Sequence, residues 1–262
     1  MITKSKLYNG EVELVFDSVK HTYEANGKIV FGVTSITGIL DKPALVYWAA
    51  NMAAEWFEKN IPLGTVIDEI SRARIIEGLK TAFRHRSKEA ADIGTAVHKY
   101  LEEYLNAGIN GDPLPPMPVN EHIYNAIKAF LEWTRENRVK FVAAERKVYS
   151  KKYGYAGTLD ALGYVNGELS IIDFKTSSGI FPEMFIQTSA YAKAVNEEDG
   201  SKIKTCYIVR VPKDGSEFEV QKDDHMKLNF ESFLGCLTNY KRQMFMKTIE
   251  VEKYKKKLKE AM

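Results

Sequence analysis

A chain of 262 residues with 45% hydrophobic and 27% charged residues has room for one large folded domain and is neither a disordered nor a fibrous sequence. Its formal charge of +2, from 37 Lys and Arg against 35 Asp and Glu, leaves any nucleic-acid partner to be decided by local charge. Two cysteines, Cys206 and Cys236, with no CxxC pair, exclude an iron–sulfur cluster or a Cys-rich zinc site held by this chain alone, and they suit a reducing compartment. The opening MITKSKLYNGEVELVF lacks the apolar core of a signal peptide, and no run of about 18 apolar residues occurs, so an intracellular protein without a membrane span is expected.

In chain order, residues 11–16 alternate polar and apolar and predict a strand. Residues 20–33 predict a hairpin turning at Asn26-Gly27. The segment GVTSITGIL predicts a turn into a short helix capped by Thr34 or Ser35. From about 43 to 106 the composition is helical, with Pro43 in a first turn and breaks near 60–62 and around Gly94. The four-proline stretch 106–120 is a connector, and 120–138 is a helix burying Ile123, Ile127, Phe130, Leu131 and Trp133. Three β-type segments follow at 141–150, 155–165 and 168–176, the last two joined by Asn166-Gly167. A helix at 182–195, strands at 203–212 and 216–221, and helices at 225–246 and 250–260 complete the chain. The expected fold is α+β, a small mixed sheet flanked by helices with a helical insertion over 43–92, a core over 94–221 and C-terminal helices over 223–262.

The stretch AGTLDALGYVNGELSIIDFKTS concentrates the chemistry. It places Asp160 on one strand and Asp173 on its hairpin partner, and strand alternation sends Asp173 and Lys175 to one face. Two carboxylates and an ammonium gathered on a sheet neutralise one another or hold a metal, and oxygen donors suit Mg²⁺ or Mn²⁺. A D-x-K triplet alone is most often a surface ion pair, so the flanking residues carry the weight. His98 and Glu102 stand at i and i+4 in IGTAVHKYLEEYL, where a lone helical histidine is more often structural than a ligand. Gln187 and Tyr191 stand at i and i+4 in FIQTSAYAKA, and both side chains can donate hydrogen bonds to phosphate.

Taken in order, His98, Glu145, GTLD at 157–160, DFK at 173–175 and Q-x-x-x-Y at 187–191 resemble the RecB-like branch of the PD-(D/E)XK nucleases, over about 94–191 and more weakly over 31–57. The resemblance implies an α/β/α restriction-endonuclease-like core and metal-dependent hydrolysis of DNA that leaves 5′-phosphate and 3′-hydroxyl ends. It implies Asp160, Asp173, His98 and the Phe174 carbonyl as metal ligands for one or two Mg²⁺ or Mn²⁺ ions. Lys175 would be the catalytic lysine, Glu145 would join the metal network, and Gln187 and Tyr191 would hold DNA. An exonuclease of the phage recombination or mitochondrial genome maintenance type is favoured over an endonuclease, with recombination or replication proteins as partners and a phage- or prophage-encoded source. Several members of the branch carry a four-cysteine iron–sulfur cluster that this chain lacks.

Residues 72–88 hold Arg72, Arg74, Lys80, Arg84, Arg86 and Lys88, either a solvated helix face or an electrostatic guide for DNA. Trp48, Trp56 and Phe57 are core residues or stacking partners for unpaired bases. Ser35, at an expected helix start, is a candidate phosphate contact, with plain capping as its alternative. The basic KYKKKLKEAM is a solvated tail or a further backbone contact. Two rival functions remain in view: a non-catalytic DNA-binding or recombination module, and a nuclease of the same fold directed at RNA.

Overall fold

The computed structural model describes residues 1–261, with side chains up to residue 253, so most of the basic KYKKKLKEAM lies outside the described side chains. The fold is mixed α+β. The chain divides into two compact units, one of residues 1–40 with the chain from 100 onward, the other of residues 41–99.

The first unit opens with a four-stranded antiparallel meander: β1 (Ile2–Leu7), β2 (Val12–Asp17), β3 (Thr22–Ala25) and β4 (Lys28–Gly32). The sequence pattern missed β1 because it buries only Leu7; its polar residues, Lys4 and Lys6 among them, suit an exposed sheet edge. The β3–β4 turn has positive φ at Asn26 (48°) and Gly27 (74°), which the Asn-Gly pair adopts at low cost. Helix α1 (Val33–Thr37) follows, capped by Gly32 without a side-chain hydrogen bond. Thr34 and Ser35 lie inside that short helix, so the capping role expected of them is not observed.

The rest of this unit contains α4 (Glu121–Glu136), β5 (Lys140–Ser150), β6 (Tyr155–Val165), β7 (Glu168–Lys175), α5 (Pro182–Asp199), β8 (Thr205–Arg210), β9 (Glu219–Lys222) and α6 (Met226–Ala261). Helix α6 is continuous where two helices were expected. The predicted stripe on α4 is partly realised: Ile127 and Phe130 are fully buried with Ala126, while Ile123, Leu131 and Trp133 are half-buried.

Strand β6 organises the sheet. Along one edge it pairs with β5 over most of its length. Along the other it pairs first with β4, in parallel at Tyr155 and Ala156, and then with β7, antiparallel from Ala161 to Val165. Residues 157–160 thus fall where one neighbour has ended and the next has not begun. Strand β7 continues the sheet in parallel with β8, and β9 closes it. Helices α5 and α6 cover one core, built on Tyr155, Leu159, Leu162, Ile171 and Phe233. On β7 the alternation is clean: Phe174 meets Phe130 of α4 edge-on at 5.5 Å, while Asp173 and Lys175 reach Gln187 of α5.

The second unit is a helical pair. It contains α2 (Pro43–Asn60), with Pro43 in the first turn as expected, and the first part of α3 (Glu69–Asn110). Helix α3 runs through Gly94 without the expected break. Trp48 meets Phe83 edge-on at 5.0 Å, and the Trp56 ring lies against Gly78. Both tryptophans are half-buried between the helices, whereas Phe57 is 42% exposed.

The Trp56 contact sets two opposing effects against each other at Gly78. Alanine is worth about 1 kcal/mol more than glycine in a helix. A Cβ at Gly78 would lie 2.0 Å from a ring atom of Trp56, so the ring has to leave its place. Gly78→Ala is therefore expected to destabilise the unit by about 1–3 kcal/mol. Gly108→Ala, in the same helix with nothing within 4 Å of its Cβ position, is expected to be neutral or stabilising. Thermal melts followed by tryptophan fluorescence decide this; a rise in melting temperature for both variants would remove Trp56 from the interface.

Candidate active site

Three strands bring the predicted residues together. Register places Glu145 of β5 opposite Asp160 of β6, between the pairs Ala144–Ala161 and Arg146–Leu159. Continued by one step, the β6–β7 register places Asp160 opposite Asp173, just beyond the last pair, Ala161–Ile172. Both ladders lapse at this point. Glu145 has φ +49°, an uncommon conformation for a residue with a Cβ. Leu159 and Leu162 pack in the same core despite an odd spacing that strict alternation forbids. Asp160 therefore sits at an irregularity in β6, in the edge gap between β4 and β7. Its Oδ2 accepts the Phe174 N–H at 2.7 Å, joining the strand ends that no longer pair.

Asp173 is fully buried, and its Oδ2 lies 2.6 Å from Lys175 Nζ, whose side chain is 20% exposed. Burial acts to lower the Lys175 pKa, but Asp173 and Asp160 outweigh it and raise the ammonium above its ordinary value. Burial raises the Asp160 carboxyl, opposed by Lys175 and the Phe174 N–H. Burial also lifts Glu145 to about 7, aided by the charges of Asp160, Glu102 and Asp173 and opposed by Lys147.

From α5, Gln187 donates to the Tyr191 hydroxyl at 2.9 Å and makes longer contacts of 3.4 Å to Asp173 and Lys175. Tyr191 is 2% exposed, and its ring occupies the space that a side chain at Gly157 would need; a Cβ there would lie 2.6 Å from the ring. Burial, then Asp173 and Asp160, push its phenol well above the usual range. A buried tyrosine cannot grip an external strand directly, so Gln187 is the half-exposed member of the pair, held by Tyr191 from behind.

The other expected site residues are placed as follows. Phe174 faces α4, leaving its backbone at the carboxylates. Ser35 is half-buried within α1. His98 is half-buried on α3 and belongs to the second unit. Arg84 and Arg86 belong to that unit as well; they are exposed, as are Arg72, Arg74, Lys80 and Lys88 along the same helix, and Arg86 pairs with Glu89 at 3.1 Å. Sequence reasoning missed Lys147, Tyr23 and Thr158, which flank Glu145 and Asp160. The signal available was the i, i+2 spacing of Lys147 from Glu145 and of Thr158 from Asp160.

Among the described residues no three or more His, Cys, Asp or Glu side chains form a ready-made metal cage. The donor chemistry nevertheless fits a hard divalent cation. Asp160 and Glu145 are carboxylates whose ionised forms are disfavoured by burial and, for Glu145, by like charge, so a cation beside them relieves both penalties.

No protein-family model matches the sequence, and no curated protein matches it. Solved structures similar to the chain include the Laribacter hongkongensis alkaline exonuclease in complex with dAMP, at 11% identity and a TM-score of 0.37 over 61% of this chain and 85% of that one. Another structure of that exonuclease has 14% identity and a TM-score of 0.29 over 58% and 85% of the two chains. A protein assigned as an exonuclease in Eubacterium rectale has 13% identity and a TM-score of 0.35 over 78% and 88%. No helix among the described residues is long and apolar enough to cross a membrane.

Proposed function

We propose that this chain is a metal-dependent nuclease that hydrolyses DNA phosphodiester bonds. The observation that carries the reading is the alignment of Glu145, Asp160 and Asp173 across three neighbouring strands with the Lys175 ammonium 2.6 Å from Asp173. Asp160, Asp173 and the Phe174 carbonyl are the groups that would hold Mg²⁺ or Mn²⁺, with Glu145 beside them. Such an ion, when bound, polarises a phosphoryl oxygen and lowers the pKa of a coordinated water. Lys175 remains protonated at neutral pH, held so by two carboxylates, and places a positive charge where the phosphorus gains negative charge in the transition state. Gln187 accepts from Lys175 and fixes its orientation, and the amide N–H that makes the long 3.4 Å contact to Asp173 would turn to a phosphate oxygen. Tyr191 holds Gln187 in place and keeps water out of the gap beside Gly157.

The finer reading is an exonuclease acting at free ends in replication, recombination or repair, as the sequence resemblance favours. The exposed cations of α3 suit it by offering a track for phosphates. Linear single-stranded and duplex DNA are expected to be degraded with Mg²⁺ or Mn²⁺, and covalently closed circles and RNA to survive. Efficient cutting of closed circles defeats the end requirement, and preferential cutting of RNA reassigns the substrate.

A further inference from the structure

Lys147 is a half-buried ammonium for which the described residues supply no ion pair. It lies on β5 two residues past Glu145, in register with Thr158 of β6. Its Nζ donates to the Glu145 carbonyl at 3.3 Å and stands 5.5 Å from the centroid of the Phe16 ring. Phe16 stacks on Tyr23 at 4.5 Å and meets the exposed His21 edge-on at 5.5 Å. The Tyr23 hydroxyl is hydrogen-bonded to Thr158 Oγ1 at 2.9 Å, fixing the meander against β6. Burial lowers the Lys147 pKa, while Glu145 and Glu102 act in the opposite direction without coming within ion-pair distance.

An ammonium withdrawn from water without an anion against it is costly, and one carbonyl with one ring face offsets little of that cost. The position supplies the missing anion in a natural way. Thr158 precedes Asp160 by two residues, about 6–7 Å of strand, so the Lys147 backbone stands that far along β6 from the row of Glu145 and Asp160, with its Nζ reaching back to the Glu145 carbonyl beside that row. We infer that Lys147 binds a non-reacting phosphodiester of a single DNA strand, adjacent to the one that would be cleaved beside Asp160 and Asp173. The Phe16–His21 pair forms the edge of that subsite. The identity of the ligand rests on the nuclease reading, and the test is one of binding, so the two can fail separately. The rival role for Lys147 is a fixed counter-charge to Glu145 and Glu102, which touches no substrate.

The experiment measures binding of a fluorescent single-stranded oligodeoxynucleotide to the full chain by anisotropy, without divalent cation, across a salt series. Lys147→Gln and Lys147→Met are expected to weaken binding several-fold and to reduce the slope of log K against log salt by about 0.7, the value for one single-strand phosphate contact. Lys147→Arg is expected to keep the wild-type slope. A single neutral methylphosphonate moved along the strand is expected to weaken wild-type binding at one linkage and to have no effect there in Lys147→Gln. An unchanged slope and methylphosphonate profile in both neutral variants overturns the inference, as does a wild-type chain that binds no strand. Melting temperatures check folding, and Lys147→Met, which keeps the stem, stands in should Lys147→Gln unfold. A wild type that binds with this lysine dependence but never cuts defeats the nuclease reading and leaves the subsite standing. A wild type that cuts DNA with binding indifferent to Lys147 does the reverse.

Discussion

Asp173→Asn is expected to reduce metal-dependent DNA cleavage by about 10³-fold or more, and Lys175→Met by about 10²–10³-fold, the usual scale for removing one preorganised charge from a transition state. The two residues form an ion pair with Asp173 fully buried, so each single change also removes the nearest counter-charge of the other. Breaking one side of such a pair costs about 3–5 kcal/mol of stability, whereas replacing both partners with neutral groups is often neutral. Stability and catalysis therefore separate in the double variant. Asp173→Asn with Lys175→Met is expected to melt closer to wild type than Lys175→Met alone, which takes the shared cation from both Asp160 and Asp173, and to remain inactive. Cleavage assays on end-labelled DNA with Mn²⁺, run beside thermal melts, check both halves. Wild-type cleavage in any of the three variants ends the catalytic assignment. Activity that recovers together with melting temperature in the double variant reduces the pair to a structural role.

Much of this site was legible because local patterns carried it. Asp173 and Lys175 are two residues apart on a strand, and Asn166-Gly167, with φ of 50° and 86°, fixes the hairpin that brings Asp160 beside them. Gln187 and Tyr191 are one helical turn apart and do hydrogen-bond. What escaped the sequence depends on partners distant in the chain. The edge gap at 157–160 exists because β4, from the first forty residues, claims only the start of β6. No period in the GTLD segment encodes that. The positive φ of Glu145 and the shift in alternation beside it are equally invisible, since nothing in VAAERKVYS marks a break. Tyr191 is a residue of mixed character whose burial is decided by the bare Cα of Gly157. The expected break at Gly94 and the expected split of α6 failed for a common reason: an isolated glycine or a polar run costs a helix about 1 kcal/mol or less, and its neighbours outweigh that.

Glu145→Gln is expected to raise the melting temperature of the metal-free chain at pH 8 and to leave it nearly unchanged at pH 5. Burial and like charge push the native carboxyl up to about 7 from the ordinary 4.5 that it keeps in the unfolded chain, so the native state holds the proton more tightly. The associated stability is fully present below about pH 4.5, declines as pH rises, and is lost once pH passes about 7. At pH 8 the wild type carries a half-buried anion near Asp160, Glu102 and Asp173, offset only in part by Lys147, and the amide removes it. A rise to about 7 bounds the effect at about 3 kcal/mol, and screening at a half-buried group brings it to about 1–2 kcal/mol, or roughly 2–8 °C for a chain of this size. Asp160, also raised by burial, tilts the wild-type profile the same way and keeps part of the slope in the variant. A divalent cation competes with these protons, so Mn²⁺ is expected to stabilise wild type more at pH 8 than at pH 6, and to stabilise Glu145→Gln less than wild type at pH 8. Calorimetric melts over pH 5–8, with Mn²⁺ and with chelator, measure every term. Parallel pH profiles for the two proteins would place the Glu145 carboxyl in water, away from Asp160. A Mn²⁺ response equal in both would remove Glu145 from the cation's surroundings.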